Sequence, residues 1–357
     1  MTVLKIGIVG CGEVVQIMHL PALRQLADKF SVSALCDVSP TVVEGVGEEF
    51  GISARYADYR ELVADGDVDA VLIANPNAYH APVTLAAIAA GKHVLVEKPM
   101  CMTLAEADAI IAAEAAARGI VVQVGYMRRY AQAFLKACEV LPTLGPVRLA
   151  RVHDVIGLNS LVVAATSRVV RGRDVPAEAV EEGKRLASEA MNAALGDASR
   201  ELRMAYNILL GLSSHDLSAM RELIGVPKRV LHAAQRVGGF YMTAAFDYGD
   251  FVCQFETGVD AIPRFDAHIE VYGAERSLRV DYDTPYVRNM PVRLEVTEAN
   301  GAGGVLTRTE HPAWGDSFTA EWLAFHDNVV SGKKPKTSPS DFRKDLEIFA
   351  EMVELMR

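Results

Sequence analysis

Cysteine is scarce and unpatterned. The chain has five, Cys11, Cys36, Cys101, Cys138 and Cys253, and no two form a CxxC pair. An odd, scattered set excludes a disulfide framework, argues against a zinc site and predicts no metal. It fits a reduced, cytoplasmic protein. No apolar run reaches the ~20 residues that cross a bilayer. The opening "MTVLKIGIVG" passes straight into an apolar strand with no leader-like core, so no cleaved signal is expected. No block of one charge, internal repeat or low-complexity tract interrupts the sequence. The net charge is -10, which speaks against nucleic acid or an anionic membrane as partner. It leaves room for a phosphate-bearing cofactor, because local backbone dipoles can bind phosphate.

Half of the 357 residues are hydrophobic, enough for two domains with cores of their own. In residues 1–125, short runs rich in Val, Ile and Leu ("LKIGIVG", "VSALCD", "DAVLIA", "HVLVE", "IVVQVG") alternate with helical stretches that stop near glycines. Strands apolar on both faces and separated by helices predict an α/β domain, a doubly wound parallel sheet of the Rossmann kind. Residues 126–357 read as an α+β domain. Its strand "PVRLARVHDVI" and a strand-rich stretch from about 230 to 310, without long helices, predict a large, mostly antiparallel open sheet. Residues 158–200 read as a helical insertion, either a lid or subunit contact or a plain surface hairpin. Its middle, "PAEAVEEGKRLASEAMNAAL", is a solvated helix. Two closing helices are expected to pack back on the first domain.

The first strand ends in "GIVGCGEVVQ". Gly10 and Gly12 match the first two glycines of G-x-G-x-x-G/A, one for the tight turn and one for close approach of backbone to a pyrophosphate. The third position is Val15. Asp37 closes the second strand at the spacing of a carboxylate that holds a ribose hydroxyl, with no Arg or Lys beside it. That favours NAD over NADP. Glu13, Val14 and Ser39 flank these positions and complete the predicted cofactor contacts. A second feature lies at a strand end, where ligands of open α/β sheets bind: "HVLVEKPM" places Lys98 there. Its ammonium can hold a substrate hydroxyl and stabilise developing alkoxide.

"GIVGCGEVVQIMHLPAL", "ANPNAYH" and "VLVEKPM", in this order, resemble the glucose–fructose oxidoreductase / inositol dehydrogenase (Gfo/Idh/MocA) family. The resemblance implies a Rossmann domain followed by a domain with a large open sheet, and redox chemistry on sugars and polyols with NAD(P). It implies that Lys98 is catalytic or substrate-binding and that Lys98–Pro99 is cis. Asn75, Pro76 and His80 would border the cofactor, Glu97 would lie near the nicotinamide, and Arg128 near the cofactor. Members often pair through the open sheet, which implies a homo-oligomer.

The family commonly carries Asp-x-x-x-His on a helix of the second domain. "YNILLGLSSHDLSAMREL" supplies His215, but Gly211 stands where the aspartate is expected. Three readings stay open. His215 transfers the proton with another group orienting it, Asn207 or Asp154 being the candidates. Or Lys98 alone is the acid–base group and His215 binds a hydroxyl. Or His215 is structural. Gly211 would widen the pocket for a bulkier substrate. Tyr126, His153 and Tyr286 are further candidates for substrate contact. The leading expectation is NAD-dependent hydride transfer to or from a sugar, glycoside or cyclic polyol. The alternatives are a sugar-modifying enzyme that recycles bound NAD, and a regulatory protein with a degenerate site.

Overall fold

The computed structural model describes residues 2–357. They form two compact units. One comprises Met1–Tyr126, Ser167–Gly196 and Glu321–Leu346, the other Met127–Thr166, Asp197–Ala320 and Glu347–Arg357.

The first unit is built on six parallel strands: β1 (Leu4–Val9), β2 (Phe30–Cys36), β3 (Ala54–Tyr56), β4 (Ala70–Ile73), β5 (His93–Glu97) and β6 (Val122–Gly125). Their spatial order is β3-β2-β1-β4-β5-β6, the doubly wound arrangement whose order reverses between β1 and β4. Every residue of β4 is buried, as helices on both faces require. β3 is the strand that periodicity misses. It has three residues, all half-buried, too few and too polar to stand out from a loop. Trp322 and Phe325 enter this core beside Ile6, Leu23 and Phe30, with Trp322 edge-on to Phe30 at 5.2 Å. The predicted insertion is helical over Asn159–Thr166, irregular from Ser167 and helical again over Ala177–Leu195, where only Ala190, Met191 and Leu195 are buried.

The second unit carries eight strands: β7 (Val147–Gly157), β8 (Arg229–Arg236), β9 (Tyr241–Asp247), β10 (Val252–Asp260), β11 (Phe265–Gly273), β12 (Arg276–Tyr282), β13 (Arg293–Ala299) and β14 (Val305–Glu310). The order is β14-β13-β12-β11-β7-β10-β9-β8. β7 and β10 run parallel, and the other neighbours are antiparallel. Alternation along β7 decides what faces what. Ala150, Val152, Asp154 and Ile156 are buried on the face against which the helix Ser214–Ile224 packs. Arg151, His153 and Val155 point the other way.

The histidine-bearing helix is not a continuous α-helix. Arg200–Ile208 and Ser214–Ile224 are α-helical, and Leu209–Ser213 between them is a π turn. Gly211 lies at its centre, where the lack of a side chain weakens the α ladder. Ser214 donates its hydroxyl back to the Leu210 carbonyl at 2.8 Å, a bond that competes with the same ladder. Ser213 reaches Thr257 of β10 at 3.4 Å. The extra residue of a π turn shifts phase by about 100°. Asn207, about 80° from His215 on a regular α-helix, thereby comes within about 20° of its azimuth.

Candidate active site

The strand ends of the first unit gather the predicted cofactor residues. Gly10 has φ +88°, and a Cβ there would lie 2.5 Å from the Asn75 nitrogen, so only glycine fits. Around Gly12 nothing lies within 4 Å of an added Cβ: the turn is open where a pyrophosphate would approach. Val15 is fully buried and begins another π turn, Val15–His19, in place of the regular helix start expected there. Glu13 and Val14 are half-buried beside the glycine turn. Asp37 is anchored on both oxygens. One accepts the Cys11 N–H at 2.9 Å and the other the Ser39 N–H at 2.9 Å. Ser39 in turn caps the helix Pro40–Phe50 through Val42. Burial pushes the Cys36 thiol up to about 12 and raises the Cys11 thiol too, so neither is a nucleophile here.

After β4, Asn75 lies under the Gly10 turn, and its side-chain oxygen is buried with no hydrogen-bond partner. A buried orphan acceptor on the residue beside the Gly10 turn fits a site made for a ligand with donors. Pro76 is exposed and precedes a short 3-10 turn, Asn77–Tyr79. His80 is buried between two carbonyls, those of Asn75 and Pro99, at 2.7 Å each. It ties the Asn75 loop to the end of β5. Burial lowers its pKa, against the pull of both carbonyls, and the ring serves as a fixed strut.

The Lys98–Pro99 bond is cis, as the resemblance implies. Lys98 is half-buried, and its backbone N–H donates to Glu97 at 3.1 Å. The other Glu97 oxygen meets His19 Nε2 at 3.0 Å. The indole N–H of Trp322 donates to His19 Nδ1 at 3.1 Å. That bond assigns the His19 proton to Nε2, which then donates to Glu97. Burial would push the Glu97 carboxyl up, but the His19 hydrogen bond and the neighbouring Lys98 ammonium hold it below its ordinary value. The result is a fixed anion directly before Lys98. Glu321 is also fully buried, with neither oxygen hydrogen-bonded. Burial and the nearby Glu97 charge raise it well above its usual range, so it is held protonated. His19, Trp322 and Glu321 are absent from the sequence reading. His19 lies inside one of the motifs that carry the resemblance, while nothing local marks Trp322 or Glu321. Tyr126 is placed in the core of this unit. It is fully buried, stacks on Phe342 and donates to Asp345 at 2.5 Å. Its hydroxyl is committed to that carboxylate.

In the second unit Arg128 is buried and bridges two carboxylates, Asp154 at 3.1 Å and Asp216. Its guanidinium lies over the Phe265 and Tyr282 rings at 5.4 and 5.1 Å. All its planar surface is used inside this unit. Asp216, readable from sequence only as a helix carboxylate, is 1% exposed. Burial pushes its carboxyl well above the ordinary value against the pull of Arg128, and neighbouring Asp154 adds to the rise. Asp216 therefore holds a proton, and the cluster of two acids and one guanidinium is electrically neutral. Asp154 shares the sheet face of the His215 helix and gives one oxygen to Arg128, while its other oxygen is buried without a hydrogen-bond partner. His215 is itself buried at the start of Ser214–Ile224, just after the π turn. His153 points to the opposite sheet face. There it meets Glu256 at 2.8 Å and stacks on His268 at 4.9 Å. Asn207 is exposed, and Tyr286 is half-buried in the β12–β13 connection. Among the described residues no group of three or more His, Cys, Asp or Glu is arranged to hold a metal ion. None of the described helices is long and apolar enough to cross a membrane.

Residues 4–126 match the model of the Gfo/Idh/MocA oxidoreductase family, NAD-binding Rossmann fold. The inositol 2-dehydrogenase of Salmonella typhimurium is 35% identical over 139 residues, 39% of this chain and 41% of that protein. The chain thus spans about two fifths of the length of that relative. The myo-inositol 2-dehydrogenase of Thermotoga maritima is 24% identical over 354 residues, 95% of this chain and 92% of that protein. Among solved structures, a levoglucosan dehydrogenase in complex with NADH and L-sorbose superposes with a TM-score of 0.78 at 18% identity, covering 99% and 97% of the two chains. A scyllo-inositol dehydrogenase from Lactobacillus casei with bound NAD(H) and scyllo-inositol gives 0.72 at 19%, covering 99% and 97%. At such identities the likeness establishes the fold, a Rossmann sheet and a large mixed sheet, over the whole chain.

Proposed function

We propose that this chain, whose residues 4–126 match the NAD-binding Rossmann domain of the Gfo/Idh/MocA family, is an oxidoreductase acting on a CH–OH group of a sugar, glycoside or cyclic polyol. The observation that carries the reading is the cradle at the strand ends. It combines an obligate glycine turn at Gly10, open space at Gly12, a doubly anchored Asp37 and an orphaned Asn75 oxygen. These residues fit a dinucleotide. When bound, the dinucleotide supplies a nicotinamide that accepts or returns a hydride. Asp37 accepts hydrogen bonds from a ribose 2′-hydroxyl, which supports NAD rather than NADP.

The chain's own residues then divide the remaining work. Glu97, an anion pinned by His19, accepts the Lys98 backbone N–H and so fixes the backbone at Lys98. Lys98 hydrogen-bonds the reacting hydroxyl and stabilises the oxygen charge that builds as its C–H bond breaks. The names of the relatives, inositol and sugar dehydrogenases, support the substrate class. A retained Lys98 and an anchored Glu97 speak against a degenerate regulatory site.

The test is a panel of sugars, glycosides and polyols, followed by nicotinamide absorbance with wild type and Lys98→Ala. Wild type turns over at least one of them. Lys98→Ala loses turnover while still binding NADH. Turnover surviving within about tenfold, ~1.4 kcal/mol of barrier, removes Lys98 from the chemistry.

A further inference from the structure

The irregular stretch of the insertion from Ser167 to Pro176 runs along the Asp37 edge of the dinucleotide cradle, and its contacts are specific. The Gln16 amide holds the Val170 backbone twice, accepting its N–H at 2.8 Å and donating to its carbonyl at 3.0 Å. Arg171 pairs with Glu13 of the glycine turn. Val170 packs where Gly45 of the helix Pro40–Phe50 has no side chain, and a Cβ on Gly172 would overlap the Ser39 hydroxyl. This lock in register delivers Asp174 to the N-terminus of that helix. One Asp174 oxygen accepts from Ser39 Oγ at 2.5 Å. The other accepts from Thr41 Oγ1 at 2.7 Å and from the Thr41 N–H at 2.9 Å.

These three donors follow Asp37 by two to four residues. A 2′-phosphate differs from a 2′-hydroxyl by a group built on the very oxygen that Asp37 would hold. It must therefore reach for donors beside Asp37, and an anion there is drawn to a helix N-terminus. In this chain those donors already serve an internal anion. The Ser39 and Thr41 hydroxyls hold the Asp174 carboxyl down at about 2, so it is charged wherever a dinucleotide binds. We propose that Asp174 is a cofactor-specificity residue: it occupies the donors that a 2′-phosphate would use and restricts the site to the unphosphorylated dinucleotide. Exclusion is then shared by two carboxylates. Asp37 repels the phosphate, and Asp174 leaves it nothing to bind. This rests on the reading that the dinucleotide lies along the Asp37 edge.

The experiment is calorimetric titration of the full chain with NADH and NADPH, in wild type, Asp174→Ala and Asp174→Asn. Asp174 is exposed, and thermal melts check that both variants fold. Wild type binds NADH more tightly. In Asp174→Ala, NADPH affinity rises at least fivefold, while NADH affinity stays within threefold. Asp174→Asn keeps the shape without the charge and gives a smaller gain in the same direction. If NADPH affinity is unchanged in both variants, or both dinucleotides weaken together, Asp174 only fastens the strap and the proposal is overturned. If wild type itself prefers NADPH, the assignment of Asp37 to an NAD ribose fails first, and the proposal falls with it.

Discussion

Asp216→Asn and Asp154→Asn are each expected to cost at most about 1 kcal/mol, and the double variant about 3–5 kcal/mol. The reasoning follows the charges around Arg128. Asp216 is protonated in the native protein because burial and Asp154 outweigh the pull of Arg128. Asparagine at 216 is close to isosteric with that neutral acid and leaves the Arg128–Asp154 pair intact. Asparagine at 154 removes the paired charge, but Asp216 can then ionise and take its place beside Arg128. Only the double variant strands a buried guanidinium without a counter-charge. The cycle should therefore show an interaction of at least about 2 kcal/mol. Two units need not unfold together, so the readout is amide exchange in peptides of β7 and of Ser214–Ile224, backed by urea midpoints. A pH series gives the sign. Unfolded Asp216 ionises above about pH 3.9 while the native group keeps its proton. The native state thus binds more protons, and wild-type stability falls as pH rises from there through the raised native value. Asp216→Asn lacks this fall, so its stability relative to wild type improves as pH rises. A double-variant loss equal to the sum of two small ones would refute the neutral cluster. So would a loss of 3–5 kcal/mol from Asp216→Asn alone, at about the cost of breaking a buried pair.

Gly10→Ala should destabilise the first unit by about 2 kcal/mol or more, since it adds a left-handed φ to a clash with Asn75 backbone, and it should lower NADH affinity at least tenfold. Gly12→Ala, facing open space, should leave the melting temperature within a few degrees and still weaken NADH binding, separating the two glycine roles. Gly211→Asp should be tolerated within about 1 kcal/mol, because nothing lies within 4 Å of its Cβ; if the bare glycine makes room for bulky substrates, the panel of glycosides should shift toward smaller polyols, and an unchanged profile removes that role. Glu321→Gln should flatten the pH dependence of stability of the first unit. Native Glu321 resists ionisation, so wild type loses stability as pH rises above the unfolded carboxyl value, and an equal slope in the variant would show that Glu321 is ionised in the native protein.

Much of this protein is legible without coordinates. Strand–helix alternation up to Gly125 specifies a doubly wound sheet because strands buried on both faces must be apolar throughout. Gly10, Asp37 and Lys98 are readable because each sits at the end of such a strand, where backbone geometry and chemistry coincide. The antiparallel sheet is readable from strands without helices between them. β3 is not, since three half-buried residues carry no period.

The rest belongs to contacts between distant segments. Trp322 fixes the proton of His19, more than 300 residues away in sequence, and so the charge beside Lys98. Asp154 looks like a partner for His215, yet the pleat sends it to Arg128, and the same pleat turns His153 to the other face. A π turn re-aims Asn207, which a count of residues along an α-helix cannot foresee. Asp174 sits in an exposed, unremarkable stretch and acquires meaning only where the strap lays it on Ser39 and Thr41. Local pattern determined the elements and the residues at strand ends, because period and turn chemistry act within a few residues. Which carboxylate is charged, which is neutral, and which ligand donors are already taken depends on burial and on partners brought from elsewhere in the chain, and only the tertiary structure decided it.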